Sequence, residues 1–379
     1  MRRLVLFDAK TLEGSFWMKT NTGRLLVRSL LVVFLLSAVG QAQTPSFSDN
    51  LAKLKDKREA VRIAAVKALG RSGDDRAIEP LIEVLKTDED LLVGEEAVLA
   101  LGNFRDLRAV RGVLAALGTT NGNAHEAANK VLKNFGAFAM PPMIEALADL
   151  DSDVGRNLID AFEFIGAPAV DALIATLSNP QTQGGAMQAL GRIKNPRAIQ
   201  PLIALLKDPE AYVRRDAASA LGDIGDARAI DAIRPLLKDS DLTVRVSAAY
   251  ALGEMKDAGS VDEIALLLSE DDNDVKKEIG AALSKINSPR AIEHLMGAAK
   301  KRDLAVVAGG YPAYLRRLTP ALTTTLLDAL EEFGGQEMAE AFLRSGNRRL
   351  AAEARSWAKE NGYVIFSVPN YGTGRRRRG

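Results

Sequence analysis

Apolar residues recur along this chain at helical rather than strand spacing, and they do so in blocks that repeat. Four segments share one template: VRIAAVKALG from Val61 to Gly70, VGEEAVLALG from Val93 to Gly102, VRRDAASALG from Val213 to Gly222 and VRVSAAYALG from Val244 to Gly253. Each has an apolar residue first, alanine four and seven places later, leucine eight later and glycine nine later. Those offsets fall on one face of an α-helix. Alanine lets a neighbouring helix approach and leucine supplies buried bulk. The glycine is expected to take the left-handed conformation that stops the helix.

A second helix is predicted after each stop, as in RAIEPLIEVLKTD from Arg76 to Asp88, RAIQPLIALLKD from Arg197 to Asp208 and RAIDAIRPLLKD from Arg228 to Asp239. In the second of these, Ile199, Leu202, Ile203 and Leu206 keep helical spacing, and Asn195 is placed to cap the start. Pro80 and Pro201 lie near the first turn, where a missing N–H costs least. The unit is a helical hairpin.

Stop glycines or their equivalents at 70, 102, 136, 166, 191, 222, 253, Ser284 and 334 give steps of 32, 34, 30, 25, 31, 31, 31 and 50. One hairpin cannot bury both faces of its helices, so the expected fold is an all-α solenoid, a superhelix of about nine stacked hairpins. The step of 25, from Ala167 to Gly191 with Pro180, Gly184 and Gly185, reads as a local deletion, with a hinge or binding notch as the alternative. The step of 50 predicts an insertion loop at 304–319. The expected organisation is a signal peptide at 1–43, a solenoid at 44–303, that loop, a degenerate capping repeat at 320–362 and a basic tail at 363–379.

Composition changes this picture in three places. With 47% apolar and 26% charged residues the chain is that of a folded protein, and the absence of cysteine excludes disulfides, thiolate metal sites and a cysteine nucleophile. Lys19, Arg24 and Arg28 precede an apolar run from Leu30 to Val39 and the small and polar residues Gly40-Gln41-Ala42, the pattern of a secretory signal, with Met18 as an alternative start and a mature end near Gln43. The run is about half of what a bilayer-spanning helix needs. A periplasmic or secreted location follows as an expectation. Without residues 1–43, which hold six of the 50 basic and two of the 49 acidic residues, the remainder is slightly acidic, which disfavours nucleic acid as a partner. Arg375 to Arg378 stand together in the tail, suited to weak contact with an acidic envelope surface.

The RAI-x-PLI-x-LLKD and VR-xx-AA-x-ALG motifs resemble the HEAT-like repeats named after the phycobilisome lyases, over roughly residues 50 to 303 with a degenerate continuation to about 362. The resemblance implies the fold and leaves function open among scaffolds, bilin lyases and iron-dependent deoxyhypusine hydroxylases. The hydroxylases carry several His-Glu pairs. Here His125-Glu126 alone matches, while His294 follows a glutamate, so no catalytic residue, metal or cofactor is expected. An enzyme of this group, hydroxylase-like or lyase-like with scattered site residues, is the alternative function. In similar repeats the basic residue after the first template position, here Arg62, Arg214, Arg245 and Lys276, reaches an aspartate in a neighbouring turn, and Asp208 and Asp239 suit that role. The competing reading is a strip for acidic partner groups.

The function expected is therefore an exported scaffold that holds another protein on its concave face and C-terminal edge. The candidate partner-binding residues are Tyr311, Tyr314, Arg316 and Arg317 in the 304–319 segment, since insertions in stacked repeats fall at edges and tyrosine and arginine favour interfaces.

Overall fold

The computed structural model describes residues 46–363. The expected signal segment and the Arg375 to Arg378 run lie outside these residues. Among the described residues there are 21 α-helices, short 3₁₀ turns and no strands. None of these helices is long and apolar enough to cross a membrane.

Two rows of helices form. The first contains Glu59–Gly70, Leu91–Leu101, Gly122–Phe135, Asp153–Ile165, Gln183–Ile193, Ala211–Ile224, Leu242–Glu254, Asn273–Ile286 and Leu304–Tyr314, each packed on the next. The second contains the shorter helices between them, such as Ile199–Leu205 and Val261–Leu266, which touch one another sparsely. A stack packed more closely along one row curves toward it, so the first row is the inner one. Hairpin starts are capped locally: Asp74, Asn195 and Asp226 each accept the N–H two residues on. The template leucines Leu69, Leu101, Leu221 and Leu252 are fully buried.

Of the four template glycines, Gly70 is the last residue of its helix and Gly102 caps the end of its own, both without a positive φ, whereas Gly222 and Gly253 have a different task from the one expected. Gly222 and Gly253 sit inside their helices, and a Cβ on either would stand 2.8 and 2.9 Å from the Cα atoms of Ala251 and Ala282 on the next helix. They permit backbone approach rather than ending the helix. The ends come three residues further on, at positive φ, as at Gly225 (φ 72) and at its equivalents Lys194, Lys256 and Asn287. Gly136 and Gly166 are such ends, so the true equivalents of the contact glycine are Lys133 and Glu163. In this register the steps become 32, 31, 30, 28, 31, 31 and 31. The repeat ending at Gly191 is three residues short, not six.

The 304–319 segment is a helix, Leu304–Tyr314, rather than an insertion loop. Val306 lies 31 residues after Val275 and Tyr314 31 after Leu283, so the helix is the next inner repeat in register. A Cβ on Gly309 would fall 1.8 Å from the carbonyl oxygen of Lys277, which shows how closely the two backbones meet. A glycine pair that reads as a loop is here a packing surface. Pro320–Phe333 then lies against this helix, and Gln336–Arg344 and Arg348–Glu360 close the end of the stack.

The basic residues at the second template position build an internal ladder. Arg214 donates to both carboxylate oxygens of Asp239 at 2.9 and 2.8 Å and to the carbonyl of Asp208 at 2.8 Å. Arg62 does the same with Asp88 at 2.6 and 3.0 Å and the Asp56 carbonyl at 3.1 Å. Arg245 reaches Glu270 at 3.0 Å, and Lys276 stands 3.8 Å from Asp303. Asp239 is thus the partner expected, whereas Asp208 contributes its carbonyl. Its carboxylate accepts the Glu210 N–H but meets no ladder base, because the residue 25 places before it is Gln183. Between the first rung and the sixth, the position holds Gly94, His125, Gly155 and Gln183, and the ion-pair ladder is interrupted.

Candidate functional site

In an inner helix, the residues three before, six before and one after the contact position turn away from the core. On Ala211–Ile224, Leu242–Glu254 and Asn273–Ile286 these include Ser219, Asp223, Ser247, Tyr250, Glu254, Glu278 and Lys285. Six of them, with Ala281 and Ala282, line a groove of about 500 Å³ on the inner face. A second hollow of about 360 Å³ continues it past Thr243, Val246 and Asp274.

The groove has a braced wall and a set of uncommitted groups. The Tyr250 hydroxyl donates to Asp223 at 2.5 Å, and Lys285 lies 5.0 Å from the centre of the Tyr250 ring while pairing with Glu254. Burial, then the bond to Asp223, raises the Tyr250 pKa far above the ordinary tyrosine value, so the phenol stays protonated and donating. Ser219, Ser247 and Glu278 have no side-chain hydrogen-bond partner among the described residues. Glu278 is open to solvent at the mouth, yet partial desolvation and then Asp274 and Asp272 push its carboxyl above its usual range. These groups can accept and donate hydrogen bonds to a ligand that crosses three repeats.

Two larger hollows offer less. One of about 720 Å³ surrounds His294 on the second row, where Asp262 accepts from both His294 and Arg290 at 2.8 and 2.7 Å, and Arg290 also binds Glu293. One of about 640 Å³ near Leu51 and Val84 is walled by the Arg62–Asp88 pair, already engaged in the ladder.

The sequence-predicted partner residues are not brought together as one surface. Tyr314 is buried and its hydroxyl donates to the Leu295 carbonyl at 2.6 Å, because it occupies the template-leucine position of the last inner repeat. Tyr311 is half-buried edge-on to Phe342, with ring centres 6.3 Å apart. Arg316 and Arg317 are exposed, and Arg317 donates to the Ala313 carbonyl. His125 stands at the ladder position, its Nε2 2.5 Å from the Thr119 carbonyl six residues back, the same relation that the ladder arginines have to their own turns. Among the described residues no group of three or more His, Asp or Glu is arranged to hold a metal ion. Ser219, Ser247 and Glu278 escaped sequence reasoning, although their offsets from the contact position, three places before it for Ser219 and six before it for Ser247 and Glu278, were a usable signal once that register was known.

The sequence matches the family of HEAT repeats over residues 47–133, 170–245 and 230–310, more than half of the chain. This protein belongs to the HEAT-repeat family. No curated protein sequence matches it. Among solved structures it is similar to an engineered protein (23% identity, 83% of this chain and 98% of that one, TM-score 0.33). It is also similar to the complex of CpcE and CpcF of phycocyanin lyase from Nostoc sp. PCC7120 (20%, 68% and 94%, TM-score 0.30) and to Kap121p bound to Ste12p (14%, 82% and 41%, TM-score 0.49). The match spans under half the length of Kap121p.

Proposed function

We propose that this protein is an exported scaffold that holds a polypeptide partner along its inner face. The observation that supports this is the set of uncommitted hydrogen-bonding groups, Ser219, Ser247 and Glu278, aligned over three successive inner helices in one groove. HEAT solenoids present extended curved surfaces of this kind, and a segment lying across several repeats engages each through a few side chains. The C-terminal edge adds Arg316 and Arg317 as exposed donors. Export rests on the Lys19 to Ala42 pattern and is checked by sequencing the N-terminus of protein from its native cells, where an intact, uncleaved end on cytoplasmic protein would defeat it.

The binding test places a photo-crosslinking residue at position 247 on the inner face, or at Leu266 on the second row, 69% exposed. Each full chain is irradiated with proteins from the source cells. A defined polypeptide adduct at 247 and none at 266 is expected. Equal labelling at both, or none at 247, would remove the inner-face assignment.

A further inference from the structure

The inner-face groove carries more negative charge than its own bases neutralise. On its three helices Asp216, Asp223, Glu254, Asp274 and Glu278 stand with six bases, of which Arg214, Arg245 and Lys276 are paired with the ladder residues Asp239, Glu270 and Asp303, leaving Arg215, Lys277 and Lys285. Each of these three is already engaged. Arg215 bonds Asp216 at 2.8 Å, Lys277 donates to the Phe333 carbonyl at 3.1 Å, and Lys285 pairs with Glu254. The next base along the inner row, Arg192, is held by Glu163 at 2.7 Å and Asp160 at 3.0 Å. Asp223 accepts from a neutral phenol, and the carboxylates of Asp274 and Glu278, one turn apart, have no ion pair or hydrogen bond among the described residues.

We propose that the groove recognises a cationic segment of the partner polypeptide, with an arginine or lysine side chain bound between Tyr250 and Glu278 and the serine hydroxyls bonding its main chain. The proposal rests on the inner-face reading above and specifies its ligand chemistry. Three features support it. The unneutralised carboxylates supply charge complementarity, which sets partner choice and encounter rate. Arginine offers paired donors that a carboxylate accepts in charge-assisted bonds. A cation beside Glu278 also offsets the desolvation cost and relieves the like-charge repulsion that its carboxyl now bears.

The test uses the full chain and three fluorescent glycine-serine peptides that differ only at spaced positions: arginine, its neutral isostere citrulline, or glutamate. The arginine peptide is expected to bind, with the citrulline peptide weaker by about tenfold and the glutamate peptide weaker still. Glu278→Gln with Asp274→Asn is expected to erase the arginine advantage while leaving citrulline binding and the circular dichroism unchanged. Asp262→Asn on the second row should change nothing. Equal binding of arginine and citrulline peptides would overturn the charge assignment and leave the crosslinking result at 247 standing. No binding by any peptide also overturns it. Tighter arginine-peptide binding when Arg375 to Arg378 are all replaced by serine would assign the groove to the chain's own tail, and the partner proposal would fall.

Discussion

Arg214 and Asp239, 25 residues apart, meet through two hydrogen bonds of 2.9 and 2.8 Å between consecutive repeats, with side chains only 14% and 12% exposed. The pair joins one hairpin's inner helix to the next hairpin's turn, and the same guanidinium ties down its own turn at the Asp208 and Pro209 carbonyls. Asp239→Ala removes the carboxylate and leaves Arg214 with those carbonyls alone. The expected cost is about 2–3 kcal/mol in urea unfolding, below the range for a fully buried pair because both groups keep an edge to water. The Arg214 bond holds the Asp239 pKa below its ordinary value, so this stability is present above the unfolded value near about 4 and is lost as pH falls through the folded one. The difference between wild type and variant should therefore shrink in acid.

Gln183→Arg is expected to add a missing rung. Asp208 already stands 25 residues on, its carboxylate occupied by one backbone N–H, as Asp239 accepts the Asp241 N–H beside its arginine. Gln183 itself makes a long contact, 3.4 Å, with the Tyr212 hydroxyl. A completed pair should raise stability by about 1 kcal/mol, and Asp208→Asn should cancel the gain in a double-mutant cycle. Lower stability in the arginine variant would mean that the three-residue deletion has moved this turn out of ladder geometry.

Gly309→Ala and Gly297→Ala should move in opposite directions. At Gly309 the new methyl meets the Lys277 carbonyl, and the two inner helices must part, at an expected cost above about 3 kcal/mol. Gly297 lies in the helix Pro289–Lys301 with nothing within 4 Å of a Cβ, so alanine there should stabilise by up to about 1 kcal/mol. Thermal unfolding of the two variants decides whether the 304–314 segment packs as an inner repeat. A mild effect at Gly309 would not agree with that.

Glu278→Gln should slightly stabilise the free protein at neutral pH, by no more than about 0.5 kcal/mol given its exposure. A carboxyl whose folded pKa is raised binds more protons in the native state, so native stability falls as pH rises from the unfolded value toward the folded one. The gain from glutamine is then full at neutral pH and disappears below about 4. Melting curves across this range check the sign. A side chain that costs the free protein stability fits a binding role.

Helical periodicity and the 31-residue recurrence were legible in the chain because they depend on neighbours within a few turns: Val213, Ala217, Ala220 and Leu221 mark one face whatever they pack against. The hairpin class, the leucine core stripe and the role of Arg214 with Asp239 followed from that local pattern and the family resemblance. What glycine does was not legible. Gly222 and Gly166 both end a leucine- or isoleucine-rich helix pattern, yet the first is a contact surface for Ala251 and the second a helix end at φ 74, and stacking alone separates them. The same holds for Gly309-Gly310, whose loop-like composition hides a close backbone contact, and for Tyr314, which that contact buries. The groove of Ser219, Ser247, Tyr250 and Glu278 joins residues up to 59 positions apart, and only the superposition of three repeats along the inner row brings them to one place.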